Sequence, residues 1–293
     1  MENKDFAVFI ISHGRPDIVL TKKTLDKCGY TGSTYFVLDN EDKTIDVYKE
    51  KFGESAIIVF DKKKYADMVD EGNNFDNRST TTHARNACFD IATTLGFNYF
   101  LVLDDDYYEF DYKFSGTKGL VMPKKIDAIF DLVLDFYKST QALSVCFSQT
   151  GDFIGGVDNG KGVYRFSKRK AMNSFFCSTH RRFWFLGQLN EDVNTYTTLQ
   201  SKGGLFLTIP VIAVNQKGSQ SQKRITQKLK ISVVAVLLEI KLNQQPVDAL
   251  PKYRNQRPMQ RIIPQSLQKC NICTRRLIKQ SNQQNKLHAC IYI

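Results

Sequence analysis

The sequence predicts an α/β protein, a largely parallel sheet covered by helices, followed by a basic tail of different composition. Three observations lead there. Through residue 106, short β-branched and aromatic runs alternate with amphipathic stretches of helical length. A strongly apolar run, Asn98 to Leu103, ends directly on Asp104-Asp105-Asp106. Charge, Phe and Gly content all change near residue 215.

The elements follow in order. Phe6 to Ser12 carries no charge and reads as a buried strand, and Gly14 to Asp17 as a loop. Asp17 is placed to cap a helix from Ile18 to Cys28, which Gly29 ends. Thr34 to Leu38 reads as strand two, Lys43 to Phe52 as helix two, and Ala56 to Phe60 as strand three. From Thr81 to Leu95, Ala84, Ala87, Cys88, Ile91, Ala92 and Leu95 form one apolar helical face, with Gly96 as terminator. Asn98 to Leu103 is then a central strand. After residue 106 the pattern loosens into loops, with a helix from Ile126 to Tyr137, a strand near Ala142 to Phe147 and a turn at Gly155-Gly156.

Of 293 residues, 42% are apolar and 12% aromatic, enough for a sizeable core. The net charge of +11 suggests nucleic acid until it is divided along the chain. Residues 1–215 hold 26 Lys and Arg against 28 Asp and Glu, whereas residues 216–293 hold 15 against 2. All 21 Phe and Trp184 precede residue 207, and Gly218 is the one glycine after Gly204. The expected organisation is a domain over 1–215, in two halves (1–106 and 107–215), then a Gln-rich tail over 216–293. Such a break is what a shifted reading frame would produce; a genuine basic tail for nucleic acid is the rival explanation. Seven Cys with no recognisable signal peptide predict reduced thiols in the cytoplasm. Phe6 to Ile11 is too short for a signal core, and Ile231 to Ile240 is too short to span a bilayer, so no membrane partner is expected.

Chemistry concentrates at strand ends. Strand alternation would point Asp104 and Asp106 one way and Asp105 the other. Like charges that close must raise a pKa or recruit a cation, and ligands of open α/β sheets bind outside the carboxyl ends of the strands. Mg²⁺ or Mn²⁺ on Asp104 and Asp106, completed by water and a diphosphate, satisfies both conditions; a solvated acidic turn is the plain alternative. Ser12, Gly14 and Arg15 offer a close-approach loop with a phosphate-seeking guanidinium, although a loop arginine can equally cap a helix, and His13 alone reads as structural. Asp39 after strand two could accept ribose hydroxyls or form an Asx turn. Arg85 and Asn86 open the helix leading to the triplet and are candidates for holding a nucleotide, unless Arg85 merely pairs with an Asp. Asp192, with Glu191 second, follows the aromatic run Phe183 to Gly187 and suits a partly desolvated general base.

Two patterns are decoys. Gly155 with Gly160-Lys161 has P-loop spacing, but Gly162 stands where Ser or Thr should be. Cys270, Cys273, His288 and Cys290 have near-zinc spacing in surroundings too poor in Gly and Phe for a compact zinc fold.

Seven segments in order resemble one family: Ser12-His13-Gly14-Arg15-Pro16, Leu38 to Asp42, Ala84 to Asp90, Leu103 to Tyr107, Gly151 to Gly156, Met172 to Thr179 and Asn190 to Tyr196. The chain resembles TET-associated glycosyltransferases, a GT-A-type group of phages and prophages, over about residues 6 to 215. The resemblance implies a GT-A-like, Rossmann-type mixed sheet flanked by helices, with the acidic motif at Asp104, Asp105 and Asp106 and the base at Asp192. It implies metal-dependent transfer of a sugar from a nucleotide-sugar, a UDP-sugar by expectation, to an acceptor hydroxyl. Association with TET-like dioxygenases implies DNA carrying oxidised 5-methylcytosine, a hydroxymethylated base, as acceptor. After Val214 the glycine-rich and His-containing segments of the family are not found. The sequence leaves two other readings open, an inactive nucleotide-sugar-binding remnant and a sugar nucleotidyltransferase.

Overall fold

The computed structural model describes residues 5–69, 78, 80–113, 120–149, 167–168, 171–188 and 190–216. The chain divides into two units, Met1–Ser219 and Gln220–Ile293, and all described residues belong to the first. The Gly155-Gly156 turn, the P-loop-like glycines, Ile231 to Ile240 and the Cys270/Cys273/His288/Cys290 set lie outside the described residues.

The opening half alternates strand and helix. Its strands are β1 (Phe6–Ile11), β2 (Ser33–Asp39), β3 (Ile57–Phe60) and β4 (Tyr99–Asp104), and its helices α1 (Leu20–Lys27), α2 (Ile45–Phe52), α3 (Lys62–Ala66) and α4 (Thr82–Leu95). The four strands pair in parallel in the order β3-β2-β1-β4. β1 is buried along its whole length, which is why it reads as a continuous apolar run. Its side chains divide by parity between two cores. Phe6, Val8 and Ile10 join Leu25, Tyr48 and Phe130 on one face, while Ala7, Phe9 and Ile11 meet Ala87, Cys88 and Ile91 of α4 on the other. Gly96 takes φ +81° at the end of α4, a left-handed cap that a Cβ would strain.

Beyond residue 106 the sheet continues where loops are expected from the sequence. β5 (Tyr107–Lys113) begins after a two-residue turn, followed by β6 (Leu120–Val121), α5 (Ile126–Ser139), β7 (Ser144–Gln149), β8 (Ser167–Lys168), β9 (Ser174–Ser178), α6 (Glu191–Ser201) and β10 (Phe206–Gln216). The described residues form one ten-stranded sheet ordered β3-β2-β1-β4-β9-β7-β10-β5-β6, with β8 on β10. β9 runs antiparallel to β4, and β10 runs parallel to β7 but antiparallel to β5. This is the GT-A-like mixed sheet flanked by helices that the resemblance implies. β10 carries Pro210 within the stretch where its pairing with β7 slips register, a position where a missing N–H is tolerated.

One helix start is corrected. Asp17 lies in a 3-10 turn, Pro16–Ile18, and α1 starts at Leu20 with Val19 as its cap residue. The orphan amides of that first turn find another acceptor: Leu20 N and Thr21 N donate to the Asp105 carbonyl at 2.8 and 3.2 Å.

Candidate functional site

The acidic triplet sits at the switch point of the sheet. Chain connections leave β1 and β4 in opposite directions, which opens a crevice beyond their carboxyl ends. β4 stops at Asp104, and residues 105 and 106 form the turn into β5. The alternation argument for Asp105 and Asp106 thus fails, because neither lies in a strand. Thr21 on α1 clamps this turn: its hydroxyl donates to the Asp104 carbonyl at 2.5 Å and accepts from Tyr107 N at 3.0 Å.

Each carboxylate takes a different partner. Asp105 accepts from the Ser12 hydroxyl and pairs with Arg15 Nη2 at 2.8 Å, so a bond from the loop after β1 crosses the switch point. Burial pushes its carboxyl up to about 6, against the pull of Arg15. Asp104 follows strand parity onto the α4 face and meets Arg85 Nη2 at 2.9 Å. Burial raises Asp104 as well, with Arg85 opposing. Asp106 accepts from Gln216 Nε2 at 3.1 Å through Oδ2, while its buried Oδ1 has no hydrogen-bond partner.

Arg85 lies inside the protein, 1% exposed. Its Nη1 is 2.9 Å from Glu191 Oε1, close enough for an ion pair without hydrogen-bond alignment, and Thr81 Oγ1 donates to the same oxygen at 2.5 Å. Among the readings the sequence leaves open, pairing with an Asp is the one observed, extended here to a Glu. Asn86 is likewise occupied: its Oδ1 accepts from Phe185 N at 2.8 Å and its Nδ2 donates to Phe185 O at 3.2 Å. As placed, neither side chain is disposed to grip a nucleotide, and both instead organise the aromatic segment and α6. Asp192, in the first turn of α6, is buried, and its Oδ1 accepts from Val193 N at 2.7 Å. Burial raises its carboxyl to about 6 while Arg85 pulls it down. Of the aromatic wall, Phe183 and Phe185 are core and Trp184 is partly exposed.

The opposite wall is a charge network at the ends of β1 and β2. His13 Nδ1 is 2.7 Å from Asp39 Oδ2, and buried Lys62 reaches Asp39 Oδ1 at 3.3 Å. Burial pushes Asp39 up, but His13 and Lys62 outweigh it and hold the carboxyl below its usual range. His13 is raised in return, chiefly by that hydrogen bond. Gly14, at φ +66°, directs its N–H to Asp42 Oδ2 at 2.7 Å. Tyr48 OH lies 2.6 Å from Ser12 Oγ and accepts from Arg15 N at 3.1 Å.

Tyr48, Lys62, Thr21 and Gln216 are the participants that motif reading misses. Tyr48 looks like an apolar helix residue, Lys62 stands in a Lys run that reads as surface, and Gln216 begins the stretch taken for a foreign tail. Only the fold brings them in. For a divalent cation the fit is favourable at Asp106, whose unpartnered buried oxygen is a hard anionic donor. Among the described residues no set of three His, Cys, Asp or Glu gathers as a ready-made cage.

The fold and the site together define an open α/β protein with an acidic ligand crevice at its switch point, the class that includes GT-A enzymes. The sequence profile of the TET-Associated Glycosyltransferase family matches residues 6–224, and the chain belongs to that family. By that membership it is a glycosyltransferase. The match runs past Val214, where the sequence reading places the departure. No curated protein matches the chain by sequence. Among solved structures it is similar to S. aureus TarS 1–349 in complex with UDP, at 12% identity and a TM-score of 0.40, over 73% of this chain and 59% of that one. It is also similar to glucosyl-3-phosphoglycerate synthase from Mycobacterium tuberculosis in complex with Mn²⁺, UDP and glucosyl-3-phosphoglycerate, at 9% identity and a TM-score of 0.41, over 80% of each chain. No helix among the described residues is long and apolar enough to cross a membrane.

Proposed function

We propose that the protein transfers a sugar from a nucleotide-sugar, a UDP-sugar, to a hydroxyl on a hydroxymethylated pyrimidine base in DNA, with Mn²⁺ or Mg²⁺ bound at Asp104 and Asp106. The observation that carries the reading is the acidic turn at the switch point, with an open anionic oxygen on Asp106. The DNA acceptor rests on the family alone, whose description reads TET-Associated; a TET-like dioxygenase acting on 5-methylcytosine would supply the hydroxymethylated base.

A cation held by Asp104 and Asp106 would supply positive charge to offset the negative charge developing on a departing diphosphate. Ser12 and Arg15 hold Asp105, and through it the turn that aims Asp104 and Asp106. On this reading the exposed face of Arg15 takes a phosphate oxygen, and Asp39, held by His13, takes the ribose hydroxyls. The bond between the anomeric carbon and the diphosphate oxygen breaks as the acceptor oxygen bonds to that carbon. The proton of the acceptor hydroxyl passes to the carboxylate of Asp192. A carboxyl raised to about 6 is still mostly ionised at pH 7 and is basic enough to take that proton.

The test is incubation with hydroxymethylated and unmodified DNA, a panel of nucleotide-sugars and Mn²⁺, followed by nucleoside mass measurement. A hexose-sized mass gain on the hydroxymethylated base alone is the expected result. Nucleoside diphosphate release without any mass gain on DNA would remove the acceptor and keep the transferase. Release of pyrophosphate from a nucleoside triphosphate would replace transfer by nucleotidyl synthesis.

A further inference from the structure

Arg85 stands out among the charged groups because it is wholly buried and touches both sides of the site. Its guanidinium carbon lies 5.1 Å from the Phe175 ring centroid and 5.6 Å from that of Phe185, so two aromatic faces hold the plane of the fork. One nitrogen reaches Asp104 at the end of β4, and another reaches Glu191 at the start of α6. The rings are themselves fixed. Asn86 takes both backbone polar groups of Phe185, and Leu186 N donates to Thr195 Oγ1 of α6 at 2.9 Å. That hydroxyl donates in turn to the Glu191 carbonyl at 2.5 Å. A guanidinium so placed cannot shift toward one carboxylate without loosening the other.

We propose, resting on the transferase reading above, that Arg85 and Glu191 act as one positioning unit that sets the metal carboxylate Asp104 and the base-bearing helix α6 in register. Glu191 is then the anchor of α6 and not a proton acceptor, since Arg85 and Thr81 both occupy its Oε1. Asp192, the next residue, is left to face the acceptor. Unlike the Ser12–Asp105 contact, which orders one wall of the crevice, this unit couples the place where the donor's leaving group departs to the place where the acceptor loses its proton. Its action falls on the chemical step more than on donor binding.

The experiment compares wild type, R85K, E191Q and R85K/E191Q in the full chain, with UDP-glucose or UDP-N-acetylglucosamine, Mn²⁺ and hydroxymethylated DNA. Lys keeps the charge but loses the planar fork, so R85K tests geometry without leaving the two partly buried carboxylates bare. Each single variant is expected to lower kcat by roughly ten- to a hundredfold with donor KM within about threefold. The double variant is expected to match the worse single within about threefold, because one unit is lost once. Losses that multiply, or an R85K enzyme with wild-type kcat, would overturn the proposal. Should the wild-type chain turn over neither donor, the proposed pairing of a UDP-sugar with hydroxymethylated DNA fails separately. The linkage is then judged by thermal unfolding of the same four proteins: non-additive shifts support it, and additive shifts reject it.

Discussion

The two halves of the domain build their parts of the site by different means. In residues 6–106 the acidic and phosphate-seeking groups sit at or just beyond the carboxyl ends of parallel strands, Ser12 and Arg15 after β1, Asp39 at the end of β2 and Asp104 to Asp106 at the end of β4. The neighbouring helices supply Thr21, Tyr48, Lys62 and Arg85 around them. In residues 107–216 the site groups are carried to the site by long-range pairing: Gln216 from the end of β10, and Glu191 and Asp192 from the helix that precedes it. The first half is a platform whose chemistry can be placed from strand ends. The second depends on antiparallel strands closing on β4, so its residues meet the crevice only once the whole sheet has formed. Substitutions in the two halves should therefore fail differently.

The largest effects are expected where each half meets the reaction. D106N removes the open anionic oxygen, and Mn²⁺-dependent nucleoside diphosphate release should fall on the order of a hundredfold or more, with little change in melting temperature. D192N should lower transfer roughly 10²- to 10⁴-fold while nucleotide binding, followed by calorimetry, is retained. If D192N lost nucleotide binding as well, the division between the halves would be wrong.

R85M comes next and should disturb both halves at once. Removing the cation leaves the partly buried Asp104 and Glu191 without the guanidinium between them, and the cost in denaturant unfolding should be about 3 kcal/mol.

A pH series sharpens the comparison further. Because Asp192 is raised to about 6, kcat/KM should climb with pH up to about 6 and level above it. The stability sign is the reverse. The folded state keeps this proton while the unfolded chain, near the ordinary value of about 4, has released it, so stability falls as pH rises from about 4 to 6. Subtracting the D192N curve from the wild-type curve isolates the effect. The smallest change is expected at the exposed Lys51–Asp17 pair, 2.9 Å apart, where K51A should cost less than about 1 kcal/mol.

The same contrast decides what the sequence could reveal. β1 and β4 are legible as continuous apolar runs, α4 by its helical period, and the acidic triplet because it abruptly ends an apolar strand. β5 and β10 are not. Tyr107 to Lys113 mixes charged and aromatic residues, and β10 carries a proline and slips register, so neither keeps the plain alternation of a strand. The helix start at Asp17 misleads because the α1 amides are satisfied by the Asp105 carbonyl, a partner more than 80 residues away along the chain, and not by a local cap. Arg85 and Asn86 are visible as polar residues near a crevice, yet their inward orientation depends on Phe175, Phe185 and Glu191, which no local spacing connects to them.

The most direct test of the acidic turn as the centre of the site is Mn²⁺ binding by electron paramagnetic resonance in the presence of UDP, with wild type compared with D106N. The account predicts UDP-dependent uptake of about one Mn²⁺ per wild-type chain and its loss in D106N. Equal uptake by both proteins would contradict it.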